Sequence, residues 1–244
     1  MKNHTLLFML CITTMLIPGT CFPQTFRIFK GDTINRTDAK GQKQGVWRRY
    51  LEGDILYSEG TFKDGIKTGV FKNFYKSKHL MQSKDFFDQG RRCSMNWYYE
   101  NDKLKATGFY LDEKKDSAWV FYFENGKKSS EGNFKNDLEE GVWKSYYETG
   151  ELLETASYKA GKKEVPLTDY FDNGKIKMQT TVRNENFSGP TKFFYSNGKI
   201  FQEGIYTSDG LRDSVWNYYT DEGAPEKKEF YKKGTLVKTE EKKK

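Results

Sequence analysis

The chain has 244 residues, 16 % of them aromatic, and a mean hydropathy of −0.87. Its apolar mass therefore sits in rings among mostly polar positions, which suits thin, half-exposed sheet layers better than a thick globular core. The formal net charge is +7, but its 41 basic and 34 acidic residues alternate rather than forming blocks, so no nucleic-acid partner is expected.

Residues 1–23 read as an export signal: Lys2 gives a positive start, Leu6–Ile17 an apolar run of 12, and Pro18-Gly19-Thr20 breaks it. The run is too short to cross a bilayer as a helix. Cleavage before Cys21 would leave a cysteine open to lipidation, although Pro18 and Thr20 depart from a lipoprotein signal; cleavage near Pro23-Gln24 would leave a soluble chain. The protein is thus expected to be periplasmic, envelope-associated or secreted. Cys11 lies in the signal, Cys21 at its edge, and Cys93 stands where sister repeats carry Gly45, Gly69 and Gly141. A small buried side chain is the expected reading of Cys93. Residues 24–40 match no repeat, and Phe26, Ile28 and Phe29 suggest a short capping strand.

From residue 41 to 236 the sequence repeats. The position held by Trp143 recurs as Trp47, Phe71, Met95, Trp119, Trp143, Leu167, Thr191 and Trp216, in steps of 24 with a last step of 25. Three residues on come Tyr50, Phe74, Tyr98, Tyr122, Tyr146, Tyr170, Phe194 and Tyr219, aromatic in all eight copies. A fixed period of this length means a repeat architecture. Each copy reads as a β-hairpin. In the fourth, Ala118–Glu124 is rich in strand formers, Asn125-Gly126 suggests a type I′ turn, Ser129–Lys135 returns, and Asn136-Asp137 turns again. No segment has a 3.6-residue period, so about sixteen short antiparallel strands are expected, with almost no helix. Alternation puts Trp143 and Tyr147 on one face and Val142 and Tyr146 on the other. The fold class is all-β: eight tandem hairpins forming an elongated, twisted antiparallel sheet or solenoid.

The third and sixth copies are the least regular, with Cys93-Ser94-Met95 and Val165-Pro166-Leu167 in place of Gly-Val-Trp. Ser117 and Ser214 replace a recurrent glycine, an insertion near Ser208-Asp209-Gly210 precedes the eighth copy, and Pro225 suits a terminal edge. Residues 237–244 read as a charged, frayed tail.

The repeat resembles the MORN repeat, and more closely the variant found in bacterial YwqK-family antitoxins. The resemblance is carried by Gly141-Val142-Trp143, Tyr146, Thr149-Gly150, Leu152, Tyr158 and Gly161, and by Tyr195-Ser196-Asn197-Gly198-Lys199-Ile200 running to Glu203-Gly204-Ile205-Tyr206. It covers residues 41–236 and implies an all-β meander used for protein or membrane-proximal contacts.

No catalytic constellation is evident. His79, at a predicted turn, has no neighbouring nucleophile motif, and one repeat cysteine with one histidine cannot make a tetrahedral zinc site. No cofactor is expected. Glu59, Glu131 and Glu203 recur at one position beside Gly60, Gly132 and Gly204; such recurrence suggests cross-strand pairing rather than catalysis. The recurrent rings Trp47, Phe71, Trp119, Trp143 and Trp216 suit a core, whereas Trp97, Phe121, Phe193 and Tyr218, two residues further on, are candidates for a partner surface, with Phe87 and Leu111 beside them. The expected function is a non-enzymatic exported scaffold for protein partners in the envelope. Alternatives are a carbohydrate or peptidoglycan binder using the aromatic rows, a membrane-surface contact, and an antitoxin-like inhibitor.

Overall fold

The computed structural model describes residues 23–183 and 185–242, and the side chains of all of these but 164 and 165. The expected signal and the lipidation candidate Cys21 fall in residues 1–22, outside the described residues. All regular structure among the described residues is β-strand. The chain divides into two compact units, residues 1–114 and 115–244.

The first unit holds β1 (Arg27–Phe29), β2 (Asp32–Ile34), β3 (Arg36–Thr37), β4 (Lys43–Leu51), β5 (Ile55–Lys63), β6 (Ile66–Phe74), β7 (Leu80–Phe87), β8 (Arg92–Tyr98) and β9 (Leu104–Leu111). From β3 to β9 each strand pairs antiparallel with its chain neighbour. The second unit holds β10 (Lys114–Tyr122), β11 (Lys128–Lys135), β12 (Leu138–Tyr146), β13 (Leu152–Lys159), β14 (Lys162–Tyr170), β15 (Ile176–Arg183), β16 (Asn186–Phe194), β17 (Ile200–Tyr206), β18 (Arg212–Tyr219), β19 (Pro225–Lys232) and β20 (Thr235–Glu241), again a meander in chain order. The all-β hairpin array read from the 24-residue period is the observed architecture.

Strand alternation sets the faces. Met95 in the first unit, and Trp119, Trp143, Leu167, Thr191 and Trp216 in the second, are buried on the core face; Trp47 and Phe71 are half-buried. The aromatic row from Tyr50 to Tyr219 lies on the other face and is half-buried throughout.

The two turns of most repeats differ in kind. At the first, Gly126 N–H bonds the Phe123 carbonyl, Phe123 N–H bonds the Lys127 carbonyl, and only Gly126 takes positive φ (87°). That is a type I turn closed by a glycine bulge, not the type I′ turn expected at Asn125-Gly126: glycine is needed at one position, and Asn125 serves as a hydrogen-bonding side chain. The type I′ geometry occurs instead at the second turn, where both central residues are left-handed, as in Asp64 (51°) and Gly65 (78°), or Asn136 (53°) and Asp137 (68°). The 25-residue step has its cause here. Between β17 and β18 the second turn becomes the three-residue kind, with Gly210 N–H on the Thr207 carbonyl and Thr207 N–H on the Leu211 carbonyl.

A bulge inside the first strand of most repeats places Gly141 at φ 73° in open space. Ser117 and Ser214 hold the same bend at φ 60°, each hydroxyl donating to the preceding aspartate. Cys93 does not adopt positive φ, and β7 and β8 pair without a register shift. There the bulge residue has moved into the turn, which spans residues 88–91, so the repeat keeps its length. Cys93 is buried, as expected of a small side chain replacing glycine.

The amino-terminal cap contains the short strand expected there, but not paired on the first repeat's edge. β1 and β2 form their own two-stranded sheet, and Phe29 packs on Tyr50 with ring centroids 4.4 Å apart. Asn35 joins the edge of β4: its amide bonds the Arg48 carbonyl, its side-chain oxygen accepts from Arg48 N–H, and its own N–H reaches the Val46 carbonyl. At the other end, Thr235–Glu241 is not a frayed tail but a strand in register with β19, because Lys233-Gly234 makes one more two-residue left-handed turn.

Candidate interaction surface and the packing around it

The core face is governed by a pairing between one repeat and the next. Thirteen residues after the tryptophan position comes Gly60, Lys84, Gly108, Gly132, Ala156, Thr180, Gly204 or Glu229. A Cβ at Gly60 would meet the Phe71 ring at 2.2 Å, at Gly132 the Trp143 ring at 2.3 Å, and at Gly204 the Trp216 ring at 2.3 Å. None of these glycines has positive φ; each is glycine because the next repeat's ring lies flat on its backbone. Where the residue is larger, the following one is not aromatic: Lys84 precedes Met95, Ala156 precedes Leu167, and Thr180 precedes Thr191. Ala156 and Leu167 share a buried cluster with Met178 and Val182, and the Thr180 and Thr191 hydroxyls are 2.6 Å apart.

Further contacts fasten one repeat to the next. Trp143 Nε1 donates to the Asn133 carbonyl and Trp216 Nε1 to the Ile205 carbonyl. Trp47, in the first repeat, has no repeat before it, and its indole N–H finds no acceptor among the described residues. At the first turns, the hydroxyls of Tyr75, Tyr147 and Tyr195 donate to the carbonyls of Tyr98, Tyr170 and Tyr219. Asn125, Asn173 and Asn197 likewise donate to the carbonyls of Glu148, Ser196 and Asp221. The recurrent Asn-Gly-Lys is therefore a clamp on the neighbouring tip as well as a turn. His79, exposed at such a tip, pairs with Asp102 of the next one at 2.8 Å.

The recurrent glutamates lie on the opposite face and act structurally. Glu131 accepts from Tyr146 Oη (2.6 Å) and pairs with Lys128; Glu203 accepts from Tyr219 Oη and pairs with Lys192; Glu59 lies between Arg48 and Lys72. Burial, reinforced by the Glu131 carboxylate, pushes the Tyr146 hydroxyl up to about 12. At the last repeat, Glu229 occupies the place where a glycine would receive the next ring. Burial pushes its carboxyl up, but hydrogen bonds from Lys227, Tyr218 and Tyr231 outweigh this and bring it down to about 2. In the sixth repeat burial, then the Glu154 carboxylate, raises Asp169, whose buried Oδ1 has no hydrogen-bond partner among the described residues. No group of three His, Cys, Asp or Glu side chains converges on a point among the described residues.

The rings proposed as a partner surface lie on the core side, two residues beyond the tryptophan position. Phe121 packs against Trp119, Phe134 and Trp143; Phe193 lies against Trp216; Tyr218 is buried and hydrogen-bonded to Glu229. Trp97 is half-buried, with the Lys105 ammonium 5.9 Å from its ring centroid. Leu111 is half-buried and Phe87 is 45 % exposed. What stands exposed is the residue before the tryptophan position: Val46 and Val70 in the first unit, and Val142, Pro190 and Val215 in the second. Ile205, opposite Pro190 in the register, extends this outer row. Its signal in the sequence was the recurrent valine of Gly-Val-Trp.

A model of the MORN repeat variant matches four segments of the chain, residues 95–112, 115–136, 139–160 and 188–207. Each match corresponds to the two strands and first turn of one hairpin. No curated protein matches the chain. Among solved structures, a chain of a TcdB2–TccC3–Cdc42 complex is similar over 87 % of this chain and 12 % of its own length, at 10 % identity and a TM-score of 0.21.

Proposed function

We propose that this protein is a non-enzymatic, exported scaffold that binds a protein partner in the cell envelope through the outer face of its sheet. One observation carries the reading: the residue before the tryptophan position is apolar and exposed in several repeats of each unit, with Val70 at 48 % in the first and Val142 at 56 % in the second. Sheet faces of this kind mark contact surfaces, and repeat arrays present them over several modules. The matched repeat variant supports a binding module of this sort. Export rests on the pattern of Lys2 and Leu6–Ile17.

The glycan-binding alternative needs rings free to stack, and Trp119, Trp143 and Trp216 are buried. The finer likeness to YwqK-family antitoxin repeats would make the partner a protein that this chain inhibits. The test is capture from detergent-solubilised envelope on immobilised residues 24–244, beside a Val142→Lys/Val215→Lys variant. A stoichiometric protein retained by the first and lost from the second supports the scaffold. Retention of insoluble glycan alone, with sugar-quenched tryptophan fluorescence, would replace it.

A further inference from the structure

Three departures from the repeat rule meet at one place in the first unit. Lys84 stands where the copies that precede a ring have glycine, the turn at residues 88–91 is longer than the two-residue second turns such as Asp64-Gly65, and Cys93 replaces the bulge glycine. All three border a cavity of about 470 Å³, whose walls include Phe86 and Tyr110. The residue opposite Lys84 in β8 is Met95, which is buried and lies outside the cavity wall.

The charges at this cavity also break the pattern. In the first, second, fourth and eighth repeats a cation four residues before the tryptophan position covers the core rings: Lys43 Nζ lies 4.5 Å from the Trp47 centroid, and Lys115 Nζ 5.0 Å from that of Trp119. In the third repeat this cation, Arg91, instead makes a two-bond ion pair with Asp112. Lys84 takes its place on Tyr110, at 4.4 Å, while Lys67 covers Phe86 at 5.1 Å. Neither Lys67 nor Lys84 has a carboxylate within 4.0 Å among the described residues; the cavity's own acidic group is Glu113. Two half-buried ammonium groups on aromatic faces thus flank the cavity, and a buried thiol lies in its wall.

We propose that this cavity binds a small anion with a flat apolar body, an aromatic carboxylate or phosphate monoester. Lys67 and Lys84 hold the anionic group, and Phe86 and Tyr110 receive the ring. The volume lies in the range of small-molecule pockets, and charge-assisted hydrogen bonds from two ammonium groups supply the selectivity for an anion.

Benzoate and its neutral analogue benzamide test this on the full chain, followed by backbone amide shifts. Benzoate should shift Lys84, Gly90 and Cys93 saturably. Benzamide, and benzoate with either Lys84→Gln or Lys67→Gln, should bind about tenfold more weakly, the loss of one charge-assisted bond. Lys228→Gln, in the second unit, should leave affinity unchanged. Equal binding of benzamide, indifference to both lysine variants, or shifts scattered without saturation would overturn the proposal. Phosphatidylglycerol vesicles that shift the same amides where benzoate does not would also overturn it, in favour of a lipid headgroup.

Discussion

Replacing Gly132 by alanine should destabilise the second unit by about 1–2 kcal/mol, although the backbone there accepts alanine freely. The added Cβ would lie 2.3, 2.4 and 2.6 Å from three ring carbons of Trp143. Ordinary carbon contacts are about 3.5–4.0 Å, so the ring must retreat by roughly 1 Å. It is held by its N–H bond to the Asn133 carbonyl and by Phe134, whose centroid lies 4.9 Å away. Against this cost, alanine gains about 0.4–1 kcal/mol by restricting the unfolded chain, which keeps the net figure below a full overpacking penalty. Trp143→Leu alone should cost about 2–4 kcal/mol through lost burial. The double variant reproduces the natural pair Ala156 and Leu167, so it should lose less than the sum by about 1–2 kcal/mol. Urea unfolding followed by far-ultraviolet circular dichroism avoids any signal from the altered tryptophan. A neutral Gly132→Ala, or additivity within about 0.5 kcal/mol, would refute the ring-on-glycine pairing.

Phe121→Ala should cost about 2–4 kcal/mol, because the ring packs among Trp119, Phe134 and Trp143; thermal unfolding checks this, and loss of partner binding with unchanged stability would return Phe121 to a recognition role. Tyr147→Phe removes one donor to the Tyr170 carbonyl and should cost only about 0.5–1.5 kcal/mol by urea unfolding, since Phe123 and Phe171 stand at that offset in sister repeats. Glu229 has a folded value of about 2 against an ordinary 4.5, so its stabilisation is full above about pH 4.5 and fades as pH falls toward 2. The loss should reach at most about 3 kcal/mol. Urea midpoints at pH 6 and pH 3 should fall less steeply for Glu229→Gln than for the unaltered chain.

Period and alternation made the hairpin array legible, because eight copies put Trp143 and its counterparts on one face and Tyr146 and its counterparts on the other. The turns were harder. Asn125-Gly126 satisfies two turn types that share a left-handed glycine, and only the hydrogen bonds of Phe123 separate them. The core-side position of Phe121 and Tyr218 follows from the same alternation, since two residues on from the tryptophan row is the same side of a strand. The glycine–ring pairing was also present in the sequence, in Gly60 with Phe71 against Lys84 with Met95, but its meaning needs the rings in place. The Lys84 cavity was not legible, because it depends on a bulge at Cys93 moving into the turn at residues 88–91. Glu229 was equally hidden: a lone carboxylate in a charged strand acquires its network only when Arg212, Tyr218, Lys227 and Tyr231 converge on it.

The central claim is that the rings serve repeat packing while the outer row meets a partner. Hydroxyl-radical footprinting of the chain, free and with its captured partner, tests this side chain by side chain. Protection is expected at Val70, Val142 and Val215 on binding, with Trp119 and Trp143 unreactive in both states. Protection centred on Trp97 or Phe121, with the valines reacting equally in both states, would contradict it.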